Sequence, residues 1–283
     1  MVTLQNSYIK AEISEYAAEL KSIEFDGKEY MWCADPAIWD RSAPMCFPIC
    51  SNLKGGKFTL EGKEYVLEKH GFANSVYFDV EECDGTHAVF LHRSNEEIKR
   101  KYPFDYELRV IYTLEDTSIK IEYEVRNTGT GDMYYNVGAH EAYCTPEGIE
   151  EYEVVFESDD KLKNYLCDGE VITDNYEELS IPGGVFALDE EYFDQKSLIF
   201  ENFQSRSLIF RQKDGKRAIK VAFPDFPYLL LWHFVGANYM CIEPWNGLPD
   251  VAGSSYEISE KVAVRRVRAG ECETTVHTIT ILK

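Results

Sequence analysis

The sequence predicts an all-β protein, a large antiparallel β-sandwich, from three observations. Apolar and polar residues alternate with period two in many short segments, which is typical of strands buried on one face. Turn-forming pairs rich in Gly, Asp and Pro separate these segments at strand spacing. No long amphipathic helix interrupts them. We expect a single domain over residues 1–283, because sandwiches reach about 250 residues as one domain.

Alternation is clearest in the segment 118–127, SIKIEYEVRN. Its apolar residues Ile119, Ile121 and Tyr123 share one face, and charged residues occupy the other, as in a half-buried antiparallel strand. Similar segments follow in chain order: KFTLEGKEYVL (57–67, with a hairpin turn at Glu61-Gly62), HAVFLHR (87–93), LRVIYTLE (108–115), DMYYNVGAH (132–140), SLIFENF (197–203), SRSLIFRQ (205–212), AIKVAF (218–223) and TVHTITIL (275–282). The segment 159–190 is more polar and irregular, and a loop-rich insertion explains this as well as a domain boundary does.

The composition argues against several classes of partner. The chain has 50 acidic and 29 basic residues, a formal net charge of −21. Such a charge repels nucleic acid and anionic lipid, so neither is expected as a partner. The longest apolar run, 226–235, is half of the roughly 20 residues that a membrane helix needs. The N-terminal residues show no secretory signal, and the eight cysteines form no Cys-x-x-Cys pair, which favours a cytoplasmic protein with free thiols.

Two of the six histidines have the small neighbours that a ligand site requires. His70 precedes Gly71, and His140 follows the pair Gly138-Ala139 at the end of an alternating segment. Small residues at strand ends leave room for a bound molecule, so both histidines are candidates for function. The other four histidines are expected to have structural roles at the surface or within strands: His87, His92, His233 and His277.

Other kinds of chemistry lack their usual motifs. The sequence has no His-x-His or His-x-x-x-His pair, no Gly-rich phosphate loop and no Gly-x-Ser-x-Gly elbow. We therefore expect no metal and no nucleotide cofactor, and no acyl-enzyme; a zinc site assembled from residues distant in sequence is the alternative that these motifs leave open. Acid–base chemistry remains, with Glu243 and a histidine as partners, because their reference pKa values of about 4.3 and 6.5 suit proton transfer near neutral pH. The many aromatic residues offer flat apolar faces of the kind that bind sugar rings.

Four segments together resemble one family. YMWCADPAIWDRSAPMCFPI (30–49), KEYVLEKHGFA (63–73), NVGAHEAY (136–143) and YMCIEPWNGLPD (239–250) are similar in order and spacing to the aldose 1-epimerase, or galactose mutarotase-like, superfamily, and most of all to its compact bacterial branch. The resemblance implies the antiparallel supersandwich of that superfamily, which binds a hexose on its concave face without a cofactor. It implies a mutarotase that interconverts the α- and β-anomers of a free aldohexose.

The resemblance also implies roles for individual residues. Glu243 is the general base at the C1 hydroxyl, and His140 is the general acid at the ring oxygen. Residues implied to contact the sugar are Arg41 (a hydroxyl contact), His70 (positioning), Trp232 (stacking), Trp245 (a wall of the pocket) and Lys196, which stands where relatives often have Asp. Glu141 stands where relatives often have Pro, and an extended backbone directs it away from His140, so we expect it to be peripheral.

Two other functions fit the same segments. Asn52, Asn74 and Lys196 replace residues that are common in relatives, which favours a carbohydrate-binding protein without catalysis. A hexose-6-phosphate 1-epimerase would keep the chemistry and change the ligand. Lys196 favours a phosphorylated sugar as the ligand. The absence of two positive charges at Asn52 and Asn74 argues against a phosphorylated sugar, because phosphate binding favours Arg.

Overall fold

The computed structural model describes residues 1–169, 171–194 and 196–283. Within these ranges the strands are β1 (Val2–Gln5), β2 (Ile9–Ile13), β3 (Leu20–Phe25), β4 (Lys28–Glu29), β5 (Lys57–Leu60), β6 (Lys63–Val66), β7 (Asp79–Cys83), β8 (His87–Arg93), β9 (Tyr106–Glu115), β10 (Ser118–Asn127), β11 (Met133–Tyr135), β12 (Glu141–Cys144), β13 (Tyr152–Phe156), β14 (Lys161–Asp168), β15 (Val171–Ser180), β16 (Val185–Ala187), β17 (Leu198–Glu201), β18 (Ser207–Gln212), β19 (Ala218–Ala222), β20 (Tyr228–Trp232), β21 (Tyr239–Trp245), β22 (Arg265–Val267) and β23 (Cys272–Ile281). The helices are α1 (Glu96–Lys99) and short 3₁₀ turns at Lys54–Gly56, Ala73–Ser75, Ile149–Glu151, Pro182–Gly184, Glu190–Phe193 and Ile258–Glu260. None of the helices in these ranges has the length and apolar character that a membrane crossing requires.

Two large antiparallel sheets form the body of the protein. Nine strands are ordered β16-β13-β18-β19-β23-β10-β9-β8-β7, and six are ordered β12-β21-β20-β17-β14-β15. Smaller sheets are β1-β2-β3-β4, β5-β6 and β11-β22. This arrangement confirms the predicted all-β class, and the pairing of β5 with β6 confirms the hairpin turn at Glu61-Gly62.

The core lies between the two large sheets. On β10 the predicted apolar face is buried, with Ile119, Ile121 and Tyr123 at most 2% exposed. Across the interior, Tyr143 of β12 contacts Phe210 of β18, with ring centroids 6.2 Å apart. Alternation along each strand of the six-stranded sheet therefore directs every second side chain away from the nine-stranded sheet.

That second face of the six-stranded sheet carries the candidate site. On β21, Ile242 packs in the main core, whereas Glu243 lines a cavity on the other side. On β20, Leu231 belongs to the core, and Leu230 and Trp232 line the cavity. The period-two alternation of the adjacent strands β20 and β21 thus places the side chains of Leu230, Trp232 and Glu243 together on the outer face of the sheet.

The interpretation of 159–190 as a loop-rich insertion is wrong. Most of this segment forms the paired strands β14 and β15 and the short strand β16. β15 is the edge of the six-stranded sheet, and most of its side chains are exposed or only half-buried. Because neither face of an edge strand need be apolar, polar residues on both faces remove the alternation that reveals a strand.

The four histidines that were assigned structural roles lie within or directly after strands. His277 is fully buried, and His87 is half-buried beside Thr113. His92 is buried rather than at the surface, with Nδ1 2.9 Å from the Tyr106 hydroxyl, and burial lowers its pKa to about 4. Both ring nitrogens of His233 face hydrogen-bond acceptors: Nδ1 lies 2.7 Å from the Tyr239 carbonyl oxygen, and Nε2 lies 3.1 Å from Oε2 of Glu190. All eight cysteines are free.

Candidate active site

A cavity of about 270 Å³ opens on the outer face of the six-stranded sheet. The structure brings six of the seven predicted site residues to its wall: Arg41, His70, His140, Trp232, Glu243 and Trp245. Lys196 does not line it. That lysine lies at an adjoining cavity of about 470 Å³, and its neighbour Ser197 reaches both cavities.

Adjacent strands hold His140 and Glu243 together. His140 directly precedes β12, and β12 pairs with β21 so that Glu141 lies opposite Ile242. One residue before His140, the amide of Ala139 donates to the Pro244 carbonyl oxygen at 3.0 Å. Two main-chain segments more than 100 residues apart in sequence are thereby locked in register. Nε2 of His140 lies 3.2 Å from Oε2 of Glu243.

Three polar atoms of this pair lack hydrogen-bond partners among the described residues. Both carboxylate oxygens of Glu243 and Nδ1 of His140 are buried without one, so the 3.2 Å contact is close but poorly aligned for a hydrogen bond. An unsatisfied buried polar group costs about 1–3 kcal/mol. Hydroxyl groups of a ligand in the cavity would supply the missing partners.

Burial shifts both groups of the pair toward their neutral forms. Burial, together with smaller contributions from the positive charges of Lys69 and Arg41, lowers the pKa of His140 to about 3. Burial also raises the pKa of Glu243 well above its ordinary value, with the Cys46 thiol as a second cause. Both shifts favour the neutral form of the pair, in which its single proton lies on the Glu243 carboxyl group. The alternative is an ion pair, with a Glu243 carboxylate and a His140 imidazolium. It holds the same number of protons as the neutral pair, so moving one proton between the two side chains converts one form into the other.

His70 stands at a sharp turn with a fixed ring orientation. Its φ is 63°, and the following Gly71 has φ 77°. A Cβ on Gly71 would lie 2.3 Å from the Phe47 carbonyl oxygen, so only glycine fits there. The amide of Ser51 donates to Nδ1 of His70 at 3.1 Å, which leaves the neutral ring its hydrogen on Nε2. Burial lowers the pKa of His70 well below its ordinary value, so the ring is a neutral donor.

Arg41 is held by groups that the sequence analysis did not identify. Its Nε donates to Oε2 of Glu19 at 3.2 Å, and Nη2 donates to the Asn74 carbonyl oxygen at 2.7 Å. Glu19 is 3% exposed, and its other oxygen accepts from the amides of Ser42 and Ala43. The guanidinium is therefore fixed at the cavity wall. Nothing in the spacing of Glu19 and Arg41 signals this contact.

Three indole rings form the apolar walls. Trp39, which the sequence analysis did not single out, stands 5.5 Å from the His140 ring and 5.2 Å from the Trp232 ring, centroid to centroid. Trp245 donates from Nε1 to the Ala139 carbonyl oxygen at 3.0 Å. Gly138 makes room for this indole, because a Cβ there would lie 2.3 Å from Cδ1 of Trp245.

Several polar side chains complete the wall. Asn74, noted above as a departure from the common family pattern, lines the cavity, and so does Ser51. Lys69, adjacent to His70, lines this cavity and the adjoining one. Its place beside the motif residue His70 is the sequence signal that could have identified it.

One group of side chains at the site has the composition of a metal-binding set. His140, Cys241 and Glu243 each offer one ligand atom, and these atoms lie within 4.8 Å of one another. An ion there would occupy both members of the His140–Glu243 pair. Without an ion, two of these residues form the 3.2 Å imidazole–carboxylate contact, and the third is a buried thiol.

Comparisons with known proteins identify the family and the fold. The family model described as aldose 1-epimerase matches residues 1–257. The plasmid-encoded protein LacX of Lactococcus lactis subsp. lactis is 30% identical, with 99% of each chain covered. A galactose mutarotase related enzyme from Lactobacillus acidophilus superposes with a TM-score of 0.94 at 28% identity, covering 100% of this chain and 97% of that one. A galactose mutarotase-like protein from Lactobacillus casei ATCC 334 gives 0.92 at 29% identity, with both chains fully covered.

Three findings lead to one assignment: the family match over most of the chain, the LacX relative, and the antiparallel sheets around the His140–Glu243 pair. This chain belongs to the aldose 1-epimerase family.

Proposed function

We propose that the protein is an aldose 1-epimerase that interconverts the α- and β-anomers of a free aldohexose. One observation carries the proposal: His140 and Glu243 lie 3.2 Å apart, with unpartnered polar atoms, in a cavity walled by indole rings. Opening a pyranose ring removes a proton from the C1 hydroxyl and adds one to the ring oxygen. A pair of groups that shares one proton is suited to this exchange.

Glu243 and His140 act as a reversible acid–base pair. With sugar bound, the proton moves from Glu243 to His140, because sugar hydroxyls then donate to the carboxylate and replace its missing hydrogen bonds. The carboxylate takes the C1 hydroxyl proton while the imidazolium protonates the ring oxygen, and the C1–O bond to the ring oxygen breaks. Rotation about C1–C2 and closure in the reverse sense give the other anomer.

Burial supports the ring-opening half of this cycle. After opening, Glu243 is protonated and His140 is neutral, which is the form that burial favours for both groups. The ion pair is the higher-energy form and is formed only with the sugar in place. The pair therefore returns to the same proton content after each half-reaction and needs no other reactant.

The remaining wall residues bind the sugar in this proposal. Arg41, fixed by Glu19, and the Nε2–H of His70 donate to sugar hydroxyls. Trp232 and Trp39 offer apolar faces for the C–H groups of the ring. These contacts hold C1 and the ring oxygen at the acid–base pair.

Exchange NMR between anomers, or polarimetry of freshly dissolved α-glucose and α-galactose, tests the proposal. We expect Glu243→Gln and His140→Asn each to lower the enzymatic rate by about 10²-fold or more. Glu141→Gln is the matched control, because Glu141 is a buried glutamate that also contacts a histidine but does not line the cavity.

The outcomes separate the rival functions. Sugar binding, followed by tryptophan fluorescence, with no acceleration of any aldose would favour a carbohydrate-binding protein and overturn the proposal. Acceleration confined to glucose 6-phosphate would favour a hexose-6-phosphate 1-epimerase. Retained activity in both site variants, with Glu141→Gln equally active, would remove the acid–base pair from the mechanism.

A further inference from the structure

The sequence motifs leave open a zinc site built from residues that are distant in the chain, and the structure assembles such a set at the base of the cavity. His140, Cys241 and Glu243 each offer one ligand atom, and these atoms lie within 4.8 Å of one another. All three side chains are buried, whereas the acidic clusters that are common without an ion are exposed. This set therefore differs from an ordinary group of surface charges.

Strand register holds the three side chains on one face of the six-stranded sheet. Cys241 and Glu243 are two residues apart on β21, so their side chains point to the same face. Ala142 of β12 lies opposite Cys241, and His140, two residues before Ala142, lies beside Glu243. The set thus rests on two paired strands and the residue directly before one of them, which keeps the ligand atoms in place before an ion binds.

The separations between the ligand atoms suit a tetrahedral ion. Zinc binds imidazole nitrogen and carboxylate oxygen at about 2.0–2.1 Å and thiolate sulfur at about 2.3 Å, so the ligand atoms of a tetrahedral site are about 3.3–3.6 Å apart. Nε2 of His140 and Oε2 of Glu243 are 3.2 Å apart. The sulfur of Cys241 lies within 4.8 Å of a ligand atom on each of the other two residues, and a small movement of this thiol completes the site.

Two members of the set have polar atoms without partners among the described residues. Both carboxylate oxygens of Glu243 and Nδ1 of His140 are buried without a hydrogen bond, and the two residues are 0% and 7% exposed. Unsatisfied buried polar groups are unfavourable, and a cation that takes up their lone pairs removes the cost. This observation is independent of the spacing of the three side chains, and it also points to a ligand.

The charges of the set match one divalent ion. A Cys241 thiolate and a Glu243 carboxylate together carry two negative charges, and the protons that the ion displaces from them pass to solvent. Lys69 and Arg41 also line the cavity, and their positive charges act against a cation. The affinity for an ion therefore depends on both anionic ligands.

The kinds of ligand atom select the kind of ion. Magnesium and calcium bind oxygen ligands, whereas one thiolate, one imidazole and one carboxylate suit zinc and similar ions. His140 and Glu243 line the cavity, which gives an ion its path of entry. Three protein ligands leave a fourth position of the tetrahedron for water.

We propose that His140, Cys241 and Glu243 form a binding site for one zinc ion, and that the bound ion inhibits the protein by occupying both members of the acid–base pair. The binding site is independent of the proposed function, and the inhibition rests on it. The ion takes the carboxylate oxygens to which sugar hydroxyls would otherwise donate, so zinc and sugar compete.

Calorimetry with Zn²⁺ and the metal-free chain tests the site without any sugar. We expect one zinc ion per chain, and Co²⁺ in its place should give the near-ultraviolet charge-transfer band of a cobalt–thiolate bond. Mg²⁺ should not bind. Cys241→Ser should remove the cobalt band and weaken zinc binding at least about a hundredfold, because a direct ligand contributes at least as much as the groups that orient it.

Cys46→Ser is the matched control, because Cys46 is also a buried thiol beside a cavity histidine. Its sulfur lies 3.0 Å from Nδ1 of His70, and it is outside the proposed ligand set. We expect this variant to bind zinc as wild type does. Loss of the cobalt band in Cys46→Ser but not in Cys241→Ser would overturn the assignment. Wild type without a cobalt band would overturn it too, and this result does not depend on the folding of any variant.

Binding that is unchanged in Cys241→Ser would also overturn the assignment, since it would be an adventitious ion only, at exposed thiols such as Cys83.

Anomer exchange of glucose with added zinc separates this inference from the proposed function. Each variant is compared with its own metal-free rate. Free zinc at about ten times its dissociation constant should raise KM about tenfold and leave kcat unchanged, and excess EDTA should restore the rate. Zinc bound through Cys241 in a protein that accelerates no aldose would support the site and overturn the proposed function. An active epimerase that binds no zinc, or that keeps its full rate when zinc saturates the site, would overturn this inference and leave the proposed function standing.

Discussion

Nε2 of His277 lies 3.1 Å from Oε1 of Glu141, in the interior between the two large sheets. This second imidazole–carboxylate pair stands directly behind the candidate active site, because Glu141 follows His140 in the chain. The expected alternation holds, since Glu141 and His140 point to opposite sides. Glu141 is therefore peripheral to the cavity, as expected, although it is only 2% exposed. One step along the backbone thus separates a pair that joins the sheets from a pair that faces the cavity.

Glu141→Gln should affect stability and leave catalysis intact. The remaining amide forms a weaker hydrogen bond with His277, and we expect the free energy of unfolding to fall by about 1–3 kcal/mol. Urea denaturation measures this loss, and anomer exchange at 25 °C measures the rate. A rate loss as large as that of Glu243→Gln would mean that the interior pair takes part in proton transfer.

The pH dependence of the rate should be flat through neutrality. Below a pH of about 3 His140 is protonated as well as Glu243, so the pair holds two protons and has no base left. Above the raised pKa of Glu243 the pair loses its only proton, and no acid remains. Between these limits the pair holds one proton, so kcat/KM corrected for buffer catalysis should change little from pH 5 to the alkaline limb. An inflection near 6.5 would show that His140 titrates as an ordinary histidine.

Gly138→Ala should damage the site through packing. The new Cβ would lie 2.3 Å from Cδ1 of Trp245, a fully buried indole that must then move. We expect a loss of about 1–3 kcal/mol in the free energy of unfolding, and a slower rate because His140 is two residues away. Thermal unfolding and anomer exchange provide the two measurements.

Gly131→Ala is the matched control for Gly138→Ala, because a Cβ on Gly131 meets no atom within 4 Å. Equal stability and equal rates for the two variants would show that the close contact between Gly138 and the indole has no energetic consequence.

Glu19→Gln should weaken sugar binding more than turnover. Its carboxylate accepts from Nε of Arg41 and from two amides, and an amide group at this position must turn an N–H toward one of those donors. Arg41 then loses part of its support. We expect KM to rise about tenfold with kcat within a few fold, since in the proposed function Arg41 contacts the sugar equally in the ground state and the transition state. A fall in kcat with unchanged KM would contradict a positioning role for Glu19.

Much of the fold was predictable because a strand buried on one face shows a local alternation of apolar and polar residues. The sequence pattern of each segment predicts the apolar face of β10 and the hairpin β5–β6. The edge strand β15 was missed, since a strand exposed on both faces has no such pattern. The catalytic candidates His140 and Glu243 were identified by their motifs, and no local pattern gives their separation.

What the sequence alone determined about this protein is the class of sheet, the run of strands and the motifs that contain His140 and Glu243. Tertiary structure decided which distant residues meet: Glu19 with Arg41, Trp39 with His140, and Glu141 with His277. The reason is physical. Alternation depends on neighbours in the chain, whereas a site depends on strand order and register, which join segments more than 100 residues apart.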